Sequence, residues 1–124
     1  MISEFNMKKK ALKNKIYTFY GVSNYTLEDV CLYAKKLISE TFVIEELKLF
    51  GSYSREEQTE DSDVDLFLVY SNKDKKEADI KIAEIMTELN FKFACSINIS
   101  AIPFLSLERN TLFYRNIQKD GIDI

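Results

Sequence analysis

Histidine is absent from all 124 residues. That one absence removes imidazole general bases and imidazole metal ligands together, so any catalysis must rest on carboxylates, hydroxyls, lysine, arginine or a bound cation. Cysteine is reduced to Cys31 and Cys95, set in the apolar stretches "DVCLYA" and "KFACSI" with no metal-ligand spacing. Buried free thiols in a reducing cytosol are the favoured reading over a disulfide. No apolar run approaches the roughly 18 residues that a membrane-crossing helix needs. The N-terminus also lacks the apolar centre of a signal peptide. A soluble cytoplasmic protein with no membrane partner is therefore expected. Net charge is only −3, and its sign argues against general nucleic-acid binding.

What is present suits one packed domain. Hydrophobic residues make up 46% of the chain and aromatics 13%, ample for a single core at this length. Residues 1–24 read as an N-terminal extension and residues 25–124 as the domain proper. In the extension, Lys8, Lys9, Lys10, Lys13 and Lys15 crowd together; a solvated helix face over 7–21, stopped by Gly21, is favoured over a site for an anionic partner. "YTLEDVCLYAKKLISETF" predicts a helix opened by a Thr26–Asp29 capping box, with Val30, Ala34, Leu37, Ile38 and Phe42 on one stripe. Strands are predicted over 44–50, 64–70 and 91–100, with Pro103 ending or edging the last. A helix is predicted over 73–90, with Ala78, Ile82, Ile85, Met86 and Leu89 on its apolar stripe, and a short closing helix is capped by Gly121. Helix, strand, strand, helix, strand, helix describes an α+β (two-layer α/β) domain, a small mixed β-sheet with helices packed on it.

Between the first two strands lies "GSYSREEQTEDSDVD", six acids with a single arginine. Asp63 and Asp65 are two apart at a strand start, so their side chains share a face. Carboxylates held side by side repel, and one is driven to protonate unless a cation lies between them. All-oxygen ligands favour Mg²⁺ or Mn²⁺. Upstream, Gly51 and Ser52 end a strand where backbone N–H groups and a hydroxyl can cradle a phosphate, glycine allowing close approach. The plain alternative is a charged hairpin whose Asp63 caps a turn. Either half alone favours that alternative; the two at fixed spacing arise by chance on the order of once in a thousand.

Gly51-Ser52, ten residues, then Asp63-Val64-Asp65 resembles the signature of the DNA polymerase β-like nucleotidyltransferase superfamily, and most closely its minimal nucleotidyltransferase branch. The likeness runs from about Thr26 onward and takes in "TLFYRNIQKDGIDI", which is similar to the closing helix of such domains. It implies a nucleotidyltransferase-like fold, Gly51 and Ser52 as nucleotide-binding residues, and Asp63 and Asp65 as metal ligands and catalytic residues. Arg55 matches a family arginine of structural character, while Glu56 stands where a glycine is usual. The third strand departs further: members place a third carboxylate there, whereas Ser96, Asn98 and Ser100 occupy the positions facing the right way. Asn98 and Ser100 can offer a neutral oxygen to a cation, but neither is a useful base.

The resemblance implies Mg²⁺-dependent transfer of an adenylyl group from ATP, a nucleotide triphosphate, to a hydroxyl. Larger members carry an added helical domain for the acceptor; none follows here, so the acceptor is expected on another polypeptide or on a second copy, in a homo- or hetero-oligomer. Members of the minimal branch act as antitoxins to helical HEPN-type toxins, which makes such a toxin the expected partner. Two other readings stay open: a catalytically degenerate fold that neutralises a partner by binding, and a transferase subunit acting on a small molecule such as an aminoglycoside.

Overall fold

The computed structural model describes residues 16–18, 24–55, 57, 63–93 and 95–124. A two-stranded antiparallel hairpin, β1 (Ile16–Thr18) with β2 (Asn24–Thr26), leads into helix α1 (Leu27–Thr41). Then come β3 (Ile44–Phe50), β4 (Val64–Tyr70), α2 (Lys75–Phe93), β5 (Ile97–Pro103), a 3₁₀ turn at Phe104–Ser106, α3 (Leu112–Asp120) and β6 (Ile122–Asp123). The last four-stranded sheet is ordered β5-β4-β3-β6. Only β4 and β5 run parallel, joined through α2; β3 pairs antiparallel with β4 and with β6. This is the α+β architecture that the alternation of elements implied.

Local chemistry explains the well-read elements. Thr26 Oγ1 accepts from the Asp29 amide while the Thr26 amide donates to Asp29 Oδ2, at 3.0 and 3.1 Å, so both halves of the capping box form. Val30, Ala34 and Ile38 are fully buried along one stripe of α1. In α2 the same is true of Ala78, Ile82, Ile85 and Leu89, with Met86 half-buried. Together these helices cover one sheet face, packing on Leu47, Leu49, Leu66, Leu68 and Ile99. The opposite face receives α3, whose Ile117 packs with Phe67 and Val69. Asp63, Asp65, Phe67 and Val69 alternate away from the main core and so look toward α3. Both thiols are free and buried.

Three expectations need correction. Ile16–Thr18 form a strand, not part of a helix; the rest of the lysine-rich segment lies outside the described residues. The apolar "FKF" at 91–93 completes α2, because Phe93 falls four residues after Leu89 and sinks into the core against Tyr25 at 4.8 Å between ring centroids. The third strand consequently starts at Ile97, whose amide donates to Asn90 Oδ1 at 2.7 Å, and runs on to Pro103. Finally, β6 was not foreseen; two residues are too few to carry a pattern.

Gly121 caps α3 with an ordinary φ of −69°, so its requirement is steric. An added Cβ would lie 2.4 Å from the Ile117 carbonyl oxygen and 3.2 Å from Lys48 Cδ. Gly121→Ala is expected to cost about 1–3 kcal/mol, read as a lower urea midpoint at unchanged slope; a midpoint equal to wild type contradicts this packing.

Candidate functional site

Strand register builds the site. On β4, Asp65 lies opposite Phe50 of β3 on one side and Asn98 of β5 on the other. Phe50 is followed at once by Gly51, which turns the chain with φ +75°. An added Cβ there would stand 2.6 Å from Asp65 Oδ2. Glycine is thus required twice, for its left-handed backbone and for the space taken by the Asp65 carboxylate. The following turn, Ser52–Arg55, is braced by Ser54 Oγ donating to the Gly51 carbonyl at 2.8 Å and by the Glu57 amide donating to the Ser52 carbonyl at 2.9 Å. Arg55 Nε meets Glu57 Oε2 at 3.2 Å in the open.

The electrostatics follow from this placement. Asp65 is half-buried and Asp63 exposed. Burial, and then the charge of Asp63, raise the Asp65 carboxyl above its ordinary value, while a hydrogen bond donated by the Asn98 amide pulls it back. The Cys95 thiol is pushed up to about 11 by burial and by Asp63, and burial takes Cys31 to about 12; both are therefore inert thiols near neutral pH.

Of the residues singled out in the sequence, Gly51, Asp65 and Asn98 come together directly, with Ser52 in the turn and Asp63 one step before β4. Ser96 precedes β5 and accepts the Val64 amide through its carbonyl, at 2.9 Å. Ser100 stands one pair further on, opposite Phe67. Sequence reasoning passed over Ser54 and Phe113. The first follows Gly51 by three residues, a spacing that could have signalled a turn brace. The second packs edge-on against Phe50 and Phe67, at 5.9 and 6.0 Å between centroids, a contact with no signature in local sequence.

Asp65, seated in the space left by Gly51, and Asp63, near enough for its charge to act on Asp65, form an oxygen-only donor set suited to a hard cation such as Mg²⁺. No group of three His, Cys, Asp or Glu side chains placed to hold a metal ion occurs among the described residues, so the pair fits an ion that keeps waters or shares phosphate oxygens. Asp63 and Asp65 would hold it.

Known proteins bear on this geometry. The family profile for polymerase beta nucleotidyltransferases matches residues 33–124. A 44-residue stretch is 36% identical to the candidate protein adenylyltransferase MJ0128 of Methanocaldococcus jannaschii, covering 36% of this chain and 45% of that protein. Another of that organism's candidate protein adenylyltransferases, MJ1217, is 44% identical over 36 residues, covering 29% and 37% respectively. The chain's matches thus span less than half the length of these relatives. Among solved structures, a toxin–antitoxin pair crystallised with AMP-PNP gives a TM-score of 0.56 at 19% identity, covering 78% of this chain and 71% of that chain. A mutant MntA–HpeT toxin–antitoxin pair gives 0.56 at 18%, covering 75% and 69%. At such identities these two show the shared fold. No helix among the described residues is long and apolar enough to cross a membrane.

Gly51→Ala is expected to lose about 1–2 kcal/mol of stability from backbone strain alone and to displace the Asp65 carboxylate. Urea titration at neutral pH checks this; an unchanged midpoint refutes it. A raised carboxyl value means that Asp65 favours the folded state fully below its ordinary value of 3.8, and that this contribution is lost as pH rises through the raised value. Asp65→Asn should therefore raise the ligand-free melting midpoint at pH 7, by a few degrees at most because the group is half in solvent, and should not raise it at pH 3. A lower midpoint at pH 7 would contradict the sign.

Proposed function

The chain belongs to the polymerase beta nucleotidyltransferase family, and we propose that it transfers an adenylyl group from ATP to a hydroxyl on a partner protein, as antitoxin to a HEPN-type toxin. The observation that carries the reading is Asp65 seated in the space left by Gly51, with the charge of Asp63 beside it. A like-charge pair at the mouth of a phosphate-sized turn is costly to a protein that never receives a cation. The choice of adenylyl is supported by the relatives' names, and the choice of partner by the two toxin–antitoxin neighbours.

Each residue has a task in that reaction. The turn after Gly51 offers backbone N–H groups and the Ser52 hydroxyl to the β- and γ-phosphates. Asp63 and Asp65 would hold Mg²⁺, which would supply charge neutralisation for the triphosphate and the departing pyrophosphate. The acceptor hydroxyl oxygen bonds to the α-phosphorus as the bond to the bridging oxygen breaks, pyrophosphate leaves, and the hydroxyl proton passes to solvent water. Asn98 keeps Asp65 oriented by donating to it, but takes no proton. Positioning and charge compensation thus carry the chemistry, and turnover is slow for want of a third acid.

Asn98 also favours one other reading, a degenerate fold that neutralises its partner by contact. Calorimetry separates the two, since a pure binder gives no heat with ATP and Mg²⁺. Under the proposal, Asp63→Asn and Asp65→Asn each abolish Mg²⁺-dependent transfer of label from ATP to the partner, which gains one adenylyl mass. Full transfer by both variants would end the assignment.

A further inference from the structure

The sheet face that bears Asp65 continues into a surface left without a protein cover. After β5, Phe104 and Leu105 are 39% and 96% exposed; at the start of α3, Leu112 and Phe113 are 73% and 48% exposed. Single exposed apolar residues are ordinary, but four large ones within ten positions form a patch of the kind that marks a contact site. Phe113 also walls a groove of about 240 Å³ whose lining includes Phe67, Ile102, Leu107, Glu108 and Tyr114.

This groove is continuous with the site. Its floor, Phe67, lies two residues along β4 from Asp65 on the same face, and the row Asn98, Ser100, Ile102 on β5 leads from the carboxylate to its wall. Phe113 spans the distance, touching both Phe67 and Phe50, the neighbour of Asp65 across the sheet. Charge distinguishes the rim. From Phe104 to the end of α3 the chain carries Arg109, Arg115 and Lys119 against Glu108 and Asp120, a net positive stretch in a chain whose net charge is −3. Arg115 and Lys119 follow Leu112 by three and seven positions, on the same outer face of α3. Arg109 lies over the Phe104 ring, 5.5 Å from its centroid. Aromatic anchors with arginine beside them are the composition of protein contact centres.

We propose that the 3₁₀ turn and the outer face of α3 form the docking surface for the acceptor protein, a partner presenting apolar side chains ringed by carboxylates. The proposal rests on the adenylyl-transfer reading and adds where the acceptor sits: along β5 and α3, with its hydroxyl brought to Asp65. A second copy of this chain, with its acidic balance, is the alternative occupant.

The test places the photocrosslinker p-benzoylphenylalanine at Leu105, at Leu112 or, on the opposite helical layer, at Ile80 of the full chain in its native cells. Any protein joined to it is identified by mass and then purified for binding and label transfer. The expected result is one partner captured from 105 and 112 but not from 80. That partner should bind at least about tenfold more weakly to Leu105→Glu, Leu112→Glu and Arg109→Glu, with Ile80→Glu unchanged. Because Leu105 is almost wholly exposed, its variant should melt as wild type does, which separates lost docking from lost folding. Equal capture from 80, no capture from 105 and 112, or capture of a second copy alone overturns the docking surface. So does undiminished label transfer in the Glu variants, which leaves the reaction itself standing. A captured partner that binds through this face but gains no adenylyl mass upholds the docking surface and defeats the reaction.

Discussion

The site depends on one close approach, the Asp65 carboxylate filling the space where any residue but glycine would put a Cβ. Gly51 stands so near that a methyl group would lie 2.6 Å from Asp65 Oδ2. The register between β3 and β4 produces this meeting, by setting Phe50 opposite Asp65 and leaving Gly51 to turn over it. A slip of one residue would point Asp65 into the core and Leu66 at the turn. That slip is excluded by burial, since Leu66, Leu68 and Tyr70 are all but completely enclosed by α1 and α2. The face of β4 packed on α1 and α2 therefore aims the face that bears Asp65.

The two sheet faces are asymmetric, and the asymmetry has a chemical use. One is sealed by two long helices; the other is shared between α3 and open strand ends. What keeps the half-open face in order is largely the C-terminal segment. Lys48, nearly buried on β3, donates to Asp123 of β6 at 2.6 Å, and Tyr114 and Gln118 both donate to Glu46 at 3.0 and 2.6 Å. Each of these bonds joins residues at least 68 positions apart, so each closes the chain's end onto β3. Removing Asp123 would leave the nearly buried Lys48 ammonium unpaired, whereas removing Lys48 would leave a carboxylate that is already half in solvent.

Elements with their own local chemistry could be read directly. The capping box of α1 is written in Thr26 and Asp29, the turn in Gly51, and the buried β4 in a run that is apolar save for Asp65. The failures occur where distant contacts override local pattern. "FKF" has strand-like composition, yet Phe93 is claimed by Tyr25 and Tyr33 across the hairpin and α1, which extends the helix. The strand at Ile16–Thr18 and the two-residue β6 exist because a partner strand is offered to them. At the site, Asn98 was legible because alternation alone puts it on the polar face of β5. Its bond to Asp65 was not, since it needs the parallel register of β4 with β5. Phe113 was illegible for the same reason: its significance lies in Phe50 and Phe67, 63 and 46 positions away.

The exchange of a third acid for Asn98 also has a physical logic within the fold. Three carboxylates crowded at one sheet end would repel strongly whenever cation and nucleotide were absent. An amide at that position instead donates to Asp65 and lowers the cost of keeping it charged. The ligand-free site thereby becomes easier to maintain, while the negative charge available to draw in a divalent ion falls by one unit. On the proposed reading, affinity for a metal would then lean more on the triphosphate, so that nucleotide and ion would be held better together than either alone. Under the proposed reaction such a site would stay nearly silent until ATP arrived with its magnesium ion, as would suit an acceptor bound beside it rather than water.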